Sequence, residues 1–134
     1  MTKITSVLLL ISITLACKQG ANKQDCAKFK TGRFFYESKT TADKFIIERG
    51  DSLQKEINEV TGKISTMKIS WLSDCEYELT QFYDETPGSN LIEQHPKGRI
   101  LTTTILEASD SFYVFSAEAK GSDKILKDTI RVMR

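Results

Sequence analysis

Apolar and polar side chains alternate through residues 62–83. Met67, Ile69 and Trp71 fall at every second position with Thr66, Lys68 and Ser70 between them. After Ser73 and Asp74 the alternation resumes, with Cys75, Tyr77 and Leu79 set against Glu76, Glu78 and Thr80. A period of two is that of a strand with one wet face. Ser and Asp supply turn chemistry, so this stretch predicts a hairpin whose apolar sides meet as cross-strand neighbours.

The same pattern continues on both sides. Phe29, Phe34, Phe35 and Tyr36 surround Thr31-Gly32-Arg33, which predicts a first strand with a bulge or close approach at the glycine. KFIIER at 44–49 is a second strand and LQKEIN at 53–58 its return, alternating apolar and polar. Arg49-Gly50-Asp51-Ser52 spells an adhesive motif, but Gly-Asp is ordinary turn chemistry where a turn is required. Residues 99–107, 112–118 and 125–133 complete the set, separated by short polar turns. Leu53, Ile57 and Val60 are spaced so that they could also line a helix, the nearest competitor to this all-β reading. Strands joined in sequence neighbour each other by default. The fold expected is therefore an antiparallel up-and-down meander of about eight strands, either closed into a barrel or left as a curled open sheet. One stretch breaks the pattern: 84–98 holds both prolines, two glycines and the single histidine, His95. Loops of that length are commonly functional.

The first residues belong to a different class. Lys3 precedes an apolar run at 4–15, shorter than the roughly 20 residues of a membrane span but suited to a signal-peptide core. Thr14-Leu15-Ala16-Cys17 follows and resembles the lipobox of bacterial lipoproteins, in which the Cys is lipidated and becomes the first residue of the mature chain. The family usually has Leu third and a small residue second before the Cys; here Thr14 and Leu15 stand there. The division expected is a lipoprotein signal peptide at 1–16, a polar tether at 17–25 and a single β domain at 26–134. Lipid on Cys17 implies attachment to the bacterial cell envelope. Lys18 is not the Asp of a retention signal, which favours the outer over the inner membrane.

Charge narrows the partners. The leader takes one of 19 basic residues and none of 18 acidic ones, so the mature chain carries 18 of each. A neutral domain lacks the basic excess of a nucleic-acid binder and has little electrostatic pull on an anionic bilayer. With Cys17 assigned to lipid, Cys26 and Cys75 form an even pair in a compartment where disulfides persist. Closing that loop of about 50 residues would stabilise the fold by roughly 4 kcal/mol on the chain-entropy model. Two separate buried thiols are the alternative.

Two resemblances add to this. Gly32-Arg33-Phe34 at the first strand and Arg131 in the last look like lipocalin-type barrels, where a Gly-x-Trp lies under a late arginine; Phe34 replaces the Trp here. Cys26, Phe29-x-Thr31-Gly32-x-Phe34-x-Tyr36, Ile47-x-Arg49, Gln54-x-Glu56 and Trp71-x-x-Asp74-Cys75-x-Tyr77-x-Leu79 resemble small flavobacterial-type envelope lipoproteins of no established function. Some of those carry a DNA topoisomerase IV label, which a neutral 118-residue domain has neither the size nor the charge to justify.

Catalytic parts are sparse. His95 sits before Pro96 in the long loop and reads as solvated, and Glu76 and Glu78 read as the wet side of the hairpin. Two Cys and one distant His make a poor zinc set, and no residue pattern implies a cofactor. The aromatics Phe34, Tyr36, Trp71, Tyr77 and Phe115 either line a pocket or fill the core. The function expected is that of a non-enzymatic, membrane-anchored binding module carrying a small apolar ligand. The alternative is a protein-interaction or structural envelope component with a filled core.

Overall fold

A computed structural model describes residues 23–90, 92–94 and 98–134. Residues 1–16, expected as a signal peptide, Cys17, expected as the lipidation site, and His95 lie outside the described residues. The elements in chain order are α1 (Lys23–Ala27), β1 (Gly32–Glu37), β2 (Lys44–Arg49), β3 (Leu53–Asn58), β4 (Ile64–Trp71), β5 (Glu76–Glu85), β6 (Ile92–Gln94), β7 (Leu101–Ala108), β8 (Phe112–Ala119) and β9 (Ile125–Val132). β4 and β5 form the hairpin that the alternation predicts: Ile69 faces Leu79 and Trp71 faces Tyr77 across the ladder. Met67, Ile69, Tyr77 and Leu79 are buried together.

Apart from the short β6, which pairs only with β5, each strand pairs antiparallel with the next along the chain, and β9 returns to β1, with Phe34 opposite Val132 and Tyr36 opposite Ile130. The meander therefore closes into an eight-stranded barrel, with β6 as a short added strand. Closure satisfies the edge groups that an open sheet would leave exposed. β5 serves two neighbours. Its start pairs with β7 through Glu76 to Leu79, and its far end pairs with β6 through Tyr83 to Glu85. Between these parts Gln81 has φ 53°, opposite a register shift in β4, so the strand bends away from β7.

The two ends of the barrel differ. The turns at 50–52, 72–75 and 109–111 lie at the end that α1 covers, and those at 38–43, 59–63 and 120–124 lie at the other. Cys26 of α1 is joined to Cys75 by a disulfide with Cα atoms 5.1 Å apart. Phe29, just beyond α1, is buried with its ring 4.8 Å from that of Tyr113. Gly32 has φ 131°, and a Cβ there would lie 3.5 Å from the Phe34 ring, so the chain turns into β1 tightly over that side chain. Full burial of each such aromatic contributes about 1.5–3 kcal/mol.

Several local expectations are corrected. The polar stretch before Cys26 ends in a helix rather than running straight into a strand, and Phe29 lies in the turn after it, where it plugs the barrel. Residues 92–94 form a strand inside the long loop. β3 is turned over relative to its apolar side: Leu53 is 55% exposed, whereas Gln54 is 2% exposed and points inward. Arg131 does not pack over the Gly-x-aromatic. It is exposed on β9, opposite Phe35 and Phe112 on the neighbouring strands. Arg49, from β2, takes that place.

Candidate functional site

Alternation along β2 puts Phe45, Ile47 and Arg49 on one face, and closure of the barrel makes that face the interior. Arg49 is 4% exposed. Its Nε donates to Gln54 Oε1 at 2.7 Å and its Nη1 to the Phe29 carbonyl at 2.8 Å. Its Nη2 donates to the Tyr77 and Tyr113 hydroxyl oxygens at 3.1 and 3.0 Å. The guanidinium carbon lies 4.9 Å from the centroid of Phe34 and 4.7 Å from that of Tyr77. Aromatic faces and four directed acceptors thus replace water around a buried cation. Burial holds the Tyr113 hydroxyl well above its ordinary value of 10, so it is neutral at physiological pH.

Above this floor the interior opens. A cavity of about 540 Å³ is lined by Tyr77 and Gln54 at its base, by Ile47, Thr103, Phe115 and Ala117 along its walls, and by Lys124 and Leu126 at its rim. The volume falls within the range of small-molecule sites. Small side chains make the space: Thr103, Ala117 and Ala119 occupy inward positions where the floor has Phe34, Tyr77 and Tyr113. An eight-stranded barrel is narrow enough for large side chains to fill it, so this choice of residues decides whether it is hollow.

Three carboxylates lie on the inner wall. Glu56 lines the cavity and its Oε1 accepts from Gln54 Nε2 at 2.8 Å. Burial raises its carboxyl above the ordinary value of 4.5, opposed by the Gln54 hydrogen bond and the Arg49 and Arg99 charges and reinforced by Asp84. Asp84 accepts from Ser65 Oγ at 2.7 Å and pairs with Lys63 at 2.7 Å. Asp128 accepts from Tyr36 at 3.4 Å, pairs with Lys39 at 3.2 Å and accepts from the Thr129 N–H at 2.8 Å. Burial works against ionisation of Asp128, but the Thr129 and Lys39 hydrogen bonds outweigh it and hold the carboxyl below its ordinary 3.8. Lys39 and Lys63 both come from turns at the open end, so these pairs tie two rim loops to the wall.

Of the aromatics singled out in the sequence, Tyr36, Tyr77 and Phe115 line the cavity. Phe34 and Trp71 lie beneath it against Arg49, with the Trp71 ring 4.8 Å from that of Tyr77. Cys26 and Cys75 are joined at the floor. Glu76 and Glu78 flank the inward Tyr77 and so occupy the outer face. In Arg49-Gly50-Asp51-Ser52 the arginine is buried while Asp51 and Ser52 are exposed, so the four residues are not presented as one surface. Among the described residues no three His, Cys, Asp or Glu side chains gather as a metal site. Sequence reasoning missed the polar column Arg49, Gln54 and Glu56. The signal was present: Arg49 shares the strand period of Phe45 and Ile47, and Gln54 shares that of Glu56. Comparison with family models, with characterised proteins and with solved structures finds no match for this chain.

Proposed function

We propose that this protein is a lipid-anchored binding module of the bacterial envelope that carries a small, largely apolar ligand in its barrel. The observation that carries the reading is the cavity of about 540 Å³, walled mainly by apolar side chains and reached from one end. A structural component with a filled core would not leave this volume between Thr103, Phe115 and Ala117. The anchor at Cys17 supplies attachment without a membrane-spanning segment. Its position also gives the barrel an orientation. α1 lies at the closed end, and the six peptide units from Cys17 to Lys23 reach at most about 21 Å. That tether holds the plugged end nearest the membrane and points the mouth away from it, toward a donor or acceptor in the surrounding compartment.

The test is fluorescence of N-phenyl-1-naphthylamine, a neutral probe that brightens in apolar surroundings. Wild-type protein is expected to enhance it saturably, and Ala117→Phe, which fills the cavity, to abolish the enhancement while keeping its far-ultraviolet circular dichroism. Enhancement equal in both proteins would place the probe outside the barrel and defeat the reading. Fatty-acid labelling of the chain and of Cys17→Ala tests the anchor, and label retained on the variant would remove it.

A further inference from the structure

Glu56 in the cavity wall has hydrogen-bonding capacity left to offer, and the floor dictates what kind. Arg49 has donors and no acceptor, so the Gln54 atom it contacts at 2.7 Å is the amide oxygen. The Gln54 nitrogen is then left to donate, and it does so to Glu56 Oε1 at 2.8 Å. The amide is therefore fixed in one orientation, and Glu56 Oε1 is fixed as an acceptor. This is the single hydrogen bond onto the Glu56 carboxylate among the described residues, whereas a carboxylate has about four lone-pair sites. Glu56 stands on β3 opposite Ile47 and Ser65, facing a cavity whose neighbouring surface is Leu79, Leu101 and Ala117. An acceptor with unused capacity in an apolar chamber selects a ligand that brings a donor.

Resting on the carrier reading above, we propose that the cavity takes an amphiphile with an apolar body and a hydrogen-bond-donating head, an aliphatic alcohol or amine, which seats on Glu56. The same site rejects fatty acids and their esters. A carboxylate head would meet a like charge in a poorly hydrated space. An ester would bring acceptors to an acceptor. Arg49 does not compensate, because its hydrogen bonds go to Gln54, Phe29, Tyr77 and Tyr113, and Arg99 is stacked on the Phe82 ring, 4.6 Å from its centroid. Charges near Glu56 come from Arg49, Arg99 and Asp84, and Tyr36 is the nearby phenol. Burial favours its protonated form, so the discrimination is sharpest on the alkaline side, where the carboxylate persists.

The experiment is displacement of N-phenyl-1-naphthylamine at pH 8 by 1-dodecanol, dodecylamine, methyl dodecanoate and dodecanoate. It uses the full chain as wild type, Glu56→Gln and Glu56→Leu. In wild type the alcohol and the amine are expected to displace the probe at concentrations about tenfold lower than the ester and the acid, the worth of one hydrogen bond. In Glu56→Leu the four compounds should fall within about threefold of one another, and Glu56→Gln, which can also donate, should recover ester binding. Dodecanoate or the ester binding as tightly as the alcohol to wild type would overturn the proposal while leaving the carrier reading intact. A tenfold preference surviving in both variants would overturn it as well. Absence of probe binding to wild type would end the carrier reading and this proposal together. Should either variant fail to fold, the wild-type ranking decides alone.

Discussion

The two ends of this barrel are built from the same strands and obey opposite rules. At the closed end large side chains fill the interior: Phe34 from β1, Arg49 from β2, Tyr77 from β5 and Tyr113 from β8, with Phe29 inserted from the turn after α1. At the open end β7 and β8 turn Thr103, Ala117 and Ala119 inward beside Leu101 and Phe115, and two of the wall's three carboxylates, Asp84 and Asp128, are held by rim lysines. One end spends its side-chain volume on packing and carries the stability. The other keeps that volume vacant, so the energy of the fold need not depend on what enters. The comparison teaches that a hollow barrel requires one overbuilt end.

The largest effects come from the floor. Arg49→Ala is expected to destabilise the protein by about 4 kcal/mol in urea denaturation, because four buried acceptors lose their donor at roughly 1–3 kcal/mol each. The gain from no longer burying a charge offsets part of this. A loss below about 1 kcal/mol would show that the guanidinium is not central to the floor. Removing the disulfide as Cys26→Ser with Cys75→Ser should cost about 4 kcal/mol on the chain-entropy model, for a sequence separation of 49. Both the denaturation midpoint and hydrogen exchange at Phe29 and Ile105 report it, the latter because the Ile105 N–H donates to the Cys75 carbonyl at 2.8 Å. Exchange unchanged at those amides would detach the bridge from the floor.

Changes in the cavity should reverse the pattern, moving binding more than stability. Glu56→Gln removes a carboxyl whose proton affinity is raised in the folded state. Between the ordinary value of 4.5 and the raised one, the native protein binds more protons than the unfolded chain, so stability falls as pH rises through that window. The variant should lack this slope and gain on wild type between pH 4 and pH 8. Parallel stability profiles for the two proteins would contradict the burial of Glu56.

The smallest effects belong to the rim. Lys39→Ala leaves Asp128 with its Thr129 and Tyr36 hydrogen bonds and removes an ammonium that is 75% exposed, so about 0–1 kcal/mol is expected. The sign follows from the lowered Asp128 carboxyl. Its contribution is present above the ordinary 3.8 and is lost as pH falls through the folded value, so wild type and variant should converge in acid. A difference persisting at pH 2 would mean that Lys39 acts through packing rather than charge.

Alternation of Met67, Ile69, Trp71, Tyr77 and Leu79 was enough to place the β4–β5 hairpin, its inward face and its turn, because side chains on a strand have a strict period of two. The spacing of short strands gave the meander, and the even pair of Cys26 and Cys75 gave the bridge. Alternation does not say which of two faces turns inward when both are mixed. In LQKEIN the apolar set Leu53 and Ile57 predicted the wrong face. Gln54 is buried, and Glu56 on the same face is half-buried, because Arg49 lies opposite Gln54 in the register and needs an acceptor. Nor could the sequence show that Arg49 is a core residue. Its partners Phe29, Tyr77 and Tyr113 lie 20, 28 and 64 positions away and converge only when the barrel closes. The sequence by itself determined the eight main strands and their order, since local period suffices for those, and cysteine count narrowed the covalent staple to one candidate pair. Tertiary structure alone decided which end is filled, which polar residues are buried and where the cavity lies, because interior volume and the satisfaction of a buried charge depend on strands that meet only in the closed barrel.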